Sequence, residues 1–312
     1  MFNFYEETQR IINIISKGAN KAPTMKRIAE IELNKYKQSK KRKKMLTGIN
    51  YYDGKHEILK KKRLAIEEGG QASEQHYLPN SKIINNQYRK AVDQKSNFLC
   101  GRPIAIDTDN DKYTDELNKI FDENFHAILK QTAKNALNCG ISWLYPYIND
   151  RGEFSVKIFS GIEILPFWQD EEHRYIDMAC RLYVIPTYEG ENEKDVEHVD
   201  IFLPEGIEYY IYENGKLVID SEREPEPYLT YKDKDDNVIS LSWDKIPLIP
   251  FKYNYEEQPL IERVQSIQDA INLIMSNFED NMLQDPYNTI YVLLNYDLSL
   301  IHISEPTRQE AI

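Results

Sequence analysis

The chain has 312 residues, of which 41% are hydrophobic and 29% charged, and it contains 22 tyrosines. This length exceeds the size at which one core usually stays single, so we expect one large irregular domain with appendages, or two domains. The apolar runs are too short to span a bilayer and the N-terminus lacks the pattern of a signal peptide, which predicts a globular protein of the cytoplasm. Cys100, Cys139 and Cys180 lack CxxC spacing and are predicted to be small buried residues.

The formal net charge of −12 conceals a basic block near the N-terminus. Between Lys17 and Arg63 the sequence holds sixteen Lys/Arg and four Asp/Glu, including the run KQSKKRKK. Such a run can attract phosphate or an anionic surface. Because no aromatic or glycine pattern of nucleic-acid recognition accompanies the run, we interpret it as a solvated helix face.

Helices are predicted for the N-terminal half of the chain. Residue types and spacing favour them over residues 4–17, 24–46, 80–100, 113–123 and 125–139. The stretch TGINYYDGKHEI is predicted to break the second helix, and Asn80 or Ser81 to start the third. Gly140 is expected to terminate the last one.

From residue 141 to about 254 the pattern changes to strands joined by tight turns, which indicates an antiparallel α+β protein. NDRGEF and YENGKLV are hairpin signals, and Asn214-Gly215 in the second suits a type I′ turn. The stretches PTYEGENEKDVEH and DSEREPEPY are predicted to be polar loops.

The most regular predicted element is a helix over residues 258–284. Apolar residues recur along it at intervals of four and three, namely Leu260, Val264, Ile267, Ile271, Ile274 and Phe278. Such a stripe is typical of a helix that packs against a partner helix. The opposite side is acidic, with Glu262, Asp269, Glu279 and Asp280. The following NTIYVLLNYD is predicted to be a strand.

The sequence offers few candidates for catalysis or ligand binding. It contains no nucleotide-binding glycine motif, no HExxH and no GxSxG. DTDNDK at 107–112 resembles the front of a calcium loop, but Lys112 replaces the required glycine and Asn118 the bidentate glutamate. EEH at 171–173 is predicted to be solvated, because adjacent residues usually face different ways. We therefore predict no catalytic, cofactor or metal site.

Three stretches resemble the portal proteins of tailed bacteriophages, the head-to-tail connectors of the siphophage type. They are NYYDGKHEIL at 50–59, NSKIINNQYRKAVDQKSNFLCGRPI at 80–104 and NCGISWLYPYINDRGEF at 138–154. The long helix followed by IYVLLNYD also resembles the passage from stem helix to clip in those proteins. The resemblance runs in order from about residue 24 to 297, and this order makes it more specific than any single motif.

The resemblance implies a structural, non-enzymatic subunit of a ring, usually of twelve copies, at the portal vertex of the virion. The ring would assemble in the host cytoplasm. Double-stranded DNA would pass through its axial channel without sequence specificity during packaging and ejection. The implied partners are other copies of the chain, the terminase, the head-completion proteins, and the capsid and scaffolding proteins. A membrane or a cofactor is not implied.

The resemblance also divides the chain by position. Residues 1–60 would be an N-terminal helical basic region, 61–255 the wing, 256–285 the first stem helix and 286–297 the start of the clip. Residues 298–312 are predicted to be a non-native tail, because LSLIHISEPTR looks like the in-frame translation of a transposase adapter used in DNA library preparation. On this interpretation the portal sequence breaks off before the rest of the clip, the second stem helix and the crown.

Two other functions stay open at this point. A metal-dependent nuclease or other packaging enzyme would cluster at least three acidic or histidine side chains in a pocket. A nucleic-acid-binding adaptor would present the cations of residues 17–63 on one exposed face. The acidic side of the long helix is equally open to two interpretations, because it could line the DNA channel or face outward as a solvated surface.

Overall fold

The computed structural model describes residues 24–66, 72–74, 78–149, 151–189, 192–232 and 238–284. The predicted helix at 4–17, the predicted clip strand and the predicted tail at 298–312 lie outside these residues. The helices of the described chain are α1 Met25–Gln38, α2 Lys40–Tyr52, α3 Gln87–Leu99, α4 Asp111–Ile120, α5 Glu123–Cys139 and α6 Ile261–Gln284, with a 3-10 turn at Glu57–Lys60. None of them is long and apolar enough to cross a membrane.

The strands form antiparallel sheets, which confirms the α+β class. Their bounds are β1 Leu64–Ile66, β2 Ala72–Glu74, β3 Ile141–Ile148, β4 Phe154–Ser160, β5 Ile164–Trp168, β6 Ile176–Glu189, β7 Asn192–Leu203, β8 Gly206–Glu213, β9 Lys216–Ile219, β10 Leu229–Lys232, β11 Val238–Leu241 and β12 Ile249–Lys252. The larger sheets have the orders β5-β6-β7-β8-β9 and β12-β3-β4, and β1-β2 and β10-β11 are separate pairs.

The chain divides into two compact units that are each discontinuous in sequence. The first unit comprises residues 1–49 and 90–262, and the second comprises 50–89 and 263–312. These bounds differ from the predicted division at residues 60 and 255, because segments that are distant in sequence associate in both units. The division into basic region, wing and stem therefore stays a prediction.

In the first unit the five-stranded sheet is buried on both faces. Alternation along β6 sends Met178 and Cys180 into one core cluster, where α1 contributes Leu33. The intervening Ala179 belongs to the other cluster, which includes Trp143 of the three-stranded sheet. The sheet is thus the middle layer between a helix and a second sheet. All three cysteines are free and buried, as predicted.

Side-chain caps explain where two predicted helices differ from the observed ones. The helix predicted over 24–46 is interrupted at Ser39, whose Oγ accepts from the backbone N–H of Arg42 and so starts α2. α2 then continues to Tyr52, so it ends within the stretch TGINYYDGKHEI that was predicted to break it, six residues later than predicted. The helix predicted from Asn80 or Ser81 begins instead at Gln87, after an extended segment, with Asn86 as its cap.

The strand region follows the turn signals more closely than the polarity of the sequence. Asn214 and Gly215 have φ values of 50° and 79°, which confirms the type I′ turn. The stretch predicted as a polar loop over 186–198 is instead part of the long β6–β7 hairpin. Its polar residues lie beyond the core, where the pairing is maintained by backbone hydrogen bonds and not by apolar burial.

Gly140 ends α5 in the left-handed conformation, with φ of 85°, as the sequence predicted. A Cβ at this position would lie 2.1 Å from the carbonyl oxygen of Glu257, so the helix end and the turn before α6 approach closely. Gly152 has a similar φ of 76°, but a Cβ added there would meet no heavy atom within 4 Å. An alanine at Gly152 would therefore report only the cost of the positive φ, whereas an alanine at Gly140 would report that cost plus the cost of a steric clash.

We expect Gly140→Ala to lower the free energy of unfolding by about 3 kcal/mol or more, because backbone atoms must move to admit the methyl group. Gly152→Ala should cost about 1 kcal/mol, since only the positive φ is unfavourable. Urea denaturation of both variants measures the difference. Equal losses would mean that the contact between Gly140 and Glu257 is not tight in solution.

Candidate functional site

The long helix α6 is preceded by a tight turn that is fixed to the first unit. The N–H of Leu260 donates to the carbonyl of Leu137 at 2.9 Å, and the N–H of Tyr253 donates to the carbonyl of Gly140 at 3.0 Å. Both acceptors lie at the end of α5, where carbonyl groups lack partners within the helix. The turn therefore satisfies the end of one helix and fixes the start of the next.

Glu257 is the centre of this turn and is 2% exposed. Its carboxylate accepts from Lys41 of α2 at 2.7 Å and lies 2.7 Å from Nδ1 of His173 and 3.2 Å from Nζ of Lys252. Its φ of 53° is uncommon for a residue with a side chain, and the charged contacts compensate for this cost. Burial by itself would raise the pKa of Glu257, but Lys41 and His173 outweigh burial and lower the pKa to about 2.

We expect Glu257→Gln to lower stability at pH 7 by roughly 3 kcal/mol, the lower end for breaking a buried ion pair, because Lys41 is partly exposed. The lowered pKa means that the carboxylate contributes its stability above pH 4.5 and loses it as the pH falls toward 2. Urea denaturation at pH 7 and pH 3 should therefore show a smaller difference between the variant and the wild type at pH 3.

Glu256→Gln is the matched control, since Glu256 is the exposed neighbour in the same turn. It should leave stability nearly unchanged at both pH values. A Glu257→Gln variant as stable as this control at pH 7 would contradict the role given to the buried carboxylate.

In the second unit, α6 binds the extended segment 81–86 and the start of α3 through side chains on one face. The backbone N–H groups of residues 81, 83, 85 and 88 donate to Asp280, Ser276, Asn272 and Gln268, at distances of 2.7, 2.9, 3.0 and 2.9 Å. Gln268 also donates to the carbonyl of Asn85 at 2.8 Å. We call this set of contacts the polar ladder and the segment Ser81–Tyr88 the strap.

The polar ladder exists because two repeats nearly coincide. Four residues of an α-helix rise about 6.0 Å. Two residues of an extended chain span about 6.6 Å, so the alternate N–H groups of residues 81, 83 and 85 meet side chains spaced four apart on α6. The fourth N–H group, of Tyr88, belongs to the first turn of α3. The sequence pattern did not identify Gln268, Asn272 and Ser276 as residues that bind backbone, although their spacing of four with Asp280 was a readable signal. All four side chains are buried.

Further charged and aromatic contacts surround the polar ladder within the second unit. Lys61 pairs with Asp280 at 2.8 Å, and the hydroxyl of Tyr51 donates to Asp269 at 2.7 Å. Burial would raise the pKa of Asp280, but the hydrogen bonds from Lys61 and Ser81 outweigh it and lower the pKa. Asp280 is thus held in its charged form by a cation and by the strap.

The predicted apolar stripe of α6 is divided by the structure. Leu260 is buried, and Val264 and Ile271 are partly buried. The remaining members are exposed, by 61% for Ile267, 67% for Ile274 and 66% for Phe278. Leu273, Met275, Met282 and Leu283 extend this exposed apolar surface. An apolar surface of this kind on a helix makes the stripe a candidate interaction site.

The predicted acidic face does not form one exposed surface. Glu279 is exposed, whereas the side chain of Glu262 is partly buried and pairs with Lys44 of the same unit. Asp269 is partly buried and accepts from Tyr51. Asp280 corrects the prediction, because it is 4% exposed and binds the strap. Of the four carboxylates, Glu279 is the one with an open side chain.

The basic block contributes to the fold more than a solvated face would. Lys37 pairs with Glu197 at 2.6 Å and Lys41 with Glu257, while Lys40 and Lys43 are exposed. These pairs divert several cations from the single exposed face that a nucleic-acid-binding adaptor would need.

The stretch EEH at 171–173 was predicted to be solvated, and His173 departs from this prediction. The ring of His173 stacks on Trp168 with centroids 4.8 Å apart and contacts Glu257. The nuclease alternative requires a cluster of at least three acidic or histidine side chains. Among the described residues, no group of three or more His, Cys, Asp or Glu could hold a metal ion.

Comparison with known proteins decides between the remaining interpretations. The family model for the phage portal protein of the SPP1 Gp6-like type matches residues 32–305. The chain belongs to the phage portal protein family. The portal protein of Bacillus phage SPP1 is 28% identical over 256 residues, which cover 81% of this chain and 49% of the relative. That of Clostridium phage phiCD119 is 24% identical over 269 residues, covering 82% and 56%.

This portal chain spans about half the length of the curated relatives that it matches. The family match ends at residue 305, whereas the adapter-like stretch LSLIHISEPTR predicts that the portal sequence ends at 297. The boundary at 297 and the non-native tail therefore stay predictions. The match at residues 32–305 covers parts of both compact units.

Proposed function

We propose that this chain is a structural subunit of the portal ring at the capsid vertex, where it forms part of the conduit for DNA packaging and ejection. The observation that carries the proposal is the exposed apolar stripe of α6 in a chain of the portal family. A ring uses two different surfaces of each subunit, and an apolar helix face that is open in one copy suits the contact with a neighbour. No catalytic step is assigned to the chain.

The proposed ring has the partners that the family resemblance implies. Other copies of the chain, the terminase, the head-completion proteins, and the capsid and scaffolding proteins would contact its outer surfaces in the virion and, during assembly, in the host cytoplasm. Double-stranded DNA would pass through the channel without sequence-specific contacts. The wing at 61–255 and the first stem helix at 256–285 are the corresponding proposed regions.

The proposed channel surface is smaller than the sequence indicated. Glu279 supports it best, because its carboxylate is exposed on α6. Glu262 and Asp269 would add charge, although Lys44 pairs with Glu262 and the hydroxyl of Tyr51 donates a hydrogen bond to Asp269. A ring of such carboxylates would keep DNA phosphates hydrated and mobile, while a cationic lining would hold them.

We expect the purified chain to self-associate through the stripe. Replacing Ile267, Ile274 and Phe278 together by Ser should weaken the association by more than about tenfold, because burial of each large side chain contributes roughly 1.5–3 kcal/mol. Mass photometry and sedimentation velocity over a range of concentrations measure this change.

The matched control replaces Ser266 and Asn281 by Ala, which changes exposed polar positions on the same helix. This variant should associate like the wild type. A wild-type chain that stays monomeric, or a serine variant that associates as strongly as the wild type, would overturn the role of the stripe.

Binding of duplex DNA should be weak and salt-dependent if the basic block is an exterior surface. We expect binding to be detectable only below physiological salt, since few phosphates would be neutralised. Replacing the exposed Lys40 and Lys43 by Ala should reduce the low-salt binding, and Lys112→Ala with Lys119→Ala is the control. Fluorescence anisotropy at several salt concentrations provides the measurement. Salt-resistant binding or a sequence preference would favour the nucleic-acid-binding adaptor.

A further inference from the structure

Asn272 occupies the middle of the polar ladder and uses every polar atom of its amide. Its Oδ1 accepts from the N–H of Asn85 and from Nε2 of Gln268, both at 3.0 Å. Its Nδ2 lies 2.8 Å from Nδ1 of His56. Because Oδ1 already faces two donors, Nδ2 can only be a donor toward the histidine.

These contacts fix the protonation state of His56. Its Nε2 lies 3.0 Å from the carbonyl oxygen of Tyr51, which can only accept, so Nε2 carries the hydrogen. Its Nδ1 must then accept from Asn272. The ring is 2% exposed and stacks on Tyr51 with centroids 4.5 Å apart. The geometry therefore requires a neutral imidazole in the Nε2–H form.

We propose that His56 is a proton-sensitive latch on the strap. A proton on Nδ1 of His56 would place two hydrogen-bond donors, this N–H and the N–H₂ of Asn272, face to face. Rotating that amide to face the proton would turn a donor toward Asn85 and Gln268, which are donors themselves. Either arrangement loses hydrogen bonds at the centre of the ladder, so protonation favours release of the strap from α6.

The groups around His56 set the pH at which the latch opens. Burial lowers the pKa of His56, while the hydrogen bond to Tyr51, the nearby carboxylate of Asp269 and the side chain of Asn86 act in the opposite direction. Lys61 and Asp280 form the next charged pair along the ladder. The strap binds α6 more tightly when His56 is neutral. The free energy of this contact is therefore fully present above pH 6.5 and decreases as the pH falls below 6.5.

Hydrogen exchange of the strap amides in the purified chain tests the latch. The protection factors of residues 83, 85 and 88, corrected for the intrinsic exchange rate at each pH, should be constant from pH 8 to 7. Below pH 6.5 they should fall by up to about tenfold per pH unit, which is the slope for uptake of one proton. His56→Gln, which keeps a neutral acceptor within reach of Asn272, should remove this dependence.

Two control variants separate the latch from other titrations. His126→Gln changes a partly buried histidine of the first unit and should leave the pH dependence intact. Asp280→Asn should weaken protection of the Ser81 amide while the step at residues 83–88 remains. Wild-type protection that does not change between pH 7 and pH 5, or a His56→Gln variant that keeps the step, would overturn the proposal.

A direct measurement covers the case in which His56→Gln fails to fold. Long-range ¹H–¹⁵N NMR spectra of the wild-type imidazoles distinguish the Nε2–H form from the other tautomer and from imidazolium. We expect the Nε2–H form of His56 at pH 7.5 and its conversion to imidazolium as the strap amides lose protection. An Nδ1–H tautomer at pH 7.5 would overturn the proposal.

Discussion

The pairing of the strap with α6 is the constraint on which the second unit depends. An extended segment exposes one N–H in every two residues toward a neighbour, and each buried N–H without a partner costs roughly 1–3 kcal/mol. A second strand is the usual solution, but here the partners are side chains of a helix. Gln268, Asn272, Ser276 and Asp280 supply an acceptor at each required position. The helix therefore replaces a strand as the neighbour of the extended chain.

This arrangement reverses the usual orientation of an amphipathic helix. The face of α6 that binds its own chain is polar, whereas the apolar face with Ile267, Ile274 and Phe278 is exposed. Apolar burial alone would favour the opposite rotation, in which the apolar face of α6 packs against its own chain and the polar face is exposed to water. The ladder prevents this, since its hydrogen bonds are satisfied only in one orientation. The apolar face therefore stays exposed.

Much of the first unit could be predicted from sequence, because its signals are local. Gly140 and the Asn214-Gly215 turn act through their own backbone conformations, which neighbouring residues hardly change. The strap could not be predicted in the same way. Asn80 and Ser81 have the composition of a helix start, yet the N–H of Ser81 is bound by Asp280, almost two hundred residues away. The prediction of an exposed acidic side on α6 was wrong for Asp280 for the same reason. The sequence pattern alone does not distinguish a solvated carboxylate from one that binds backbone.

The two ends of α6 are held by contacts of the same physical kind. Before the helix, Glu257 accepts from Lys41 and contacts His173, and along its second half Asp280 accepts from Lys61 and the strap. Apolar packing tolerates small shifts, whereas hydrogen bonds weaken steeply when their geometry changes. A buried carboxylate also makes any shift expensive, because loss of its partners leaves an unpaired charge. The directional contacts of the polar ladder therefore hold the second half of α6 in one rotation relative to the strap, and that rotation leaves Ile274 and Phe278 exposed.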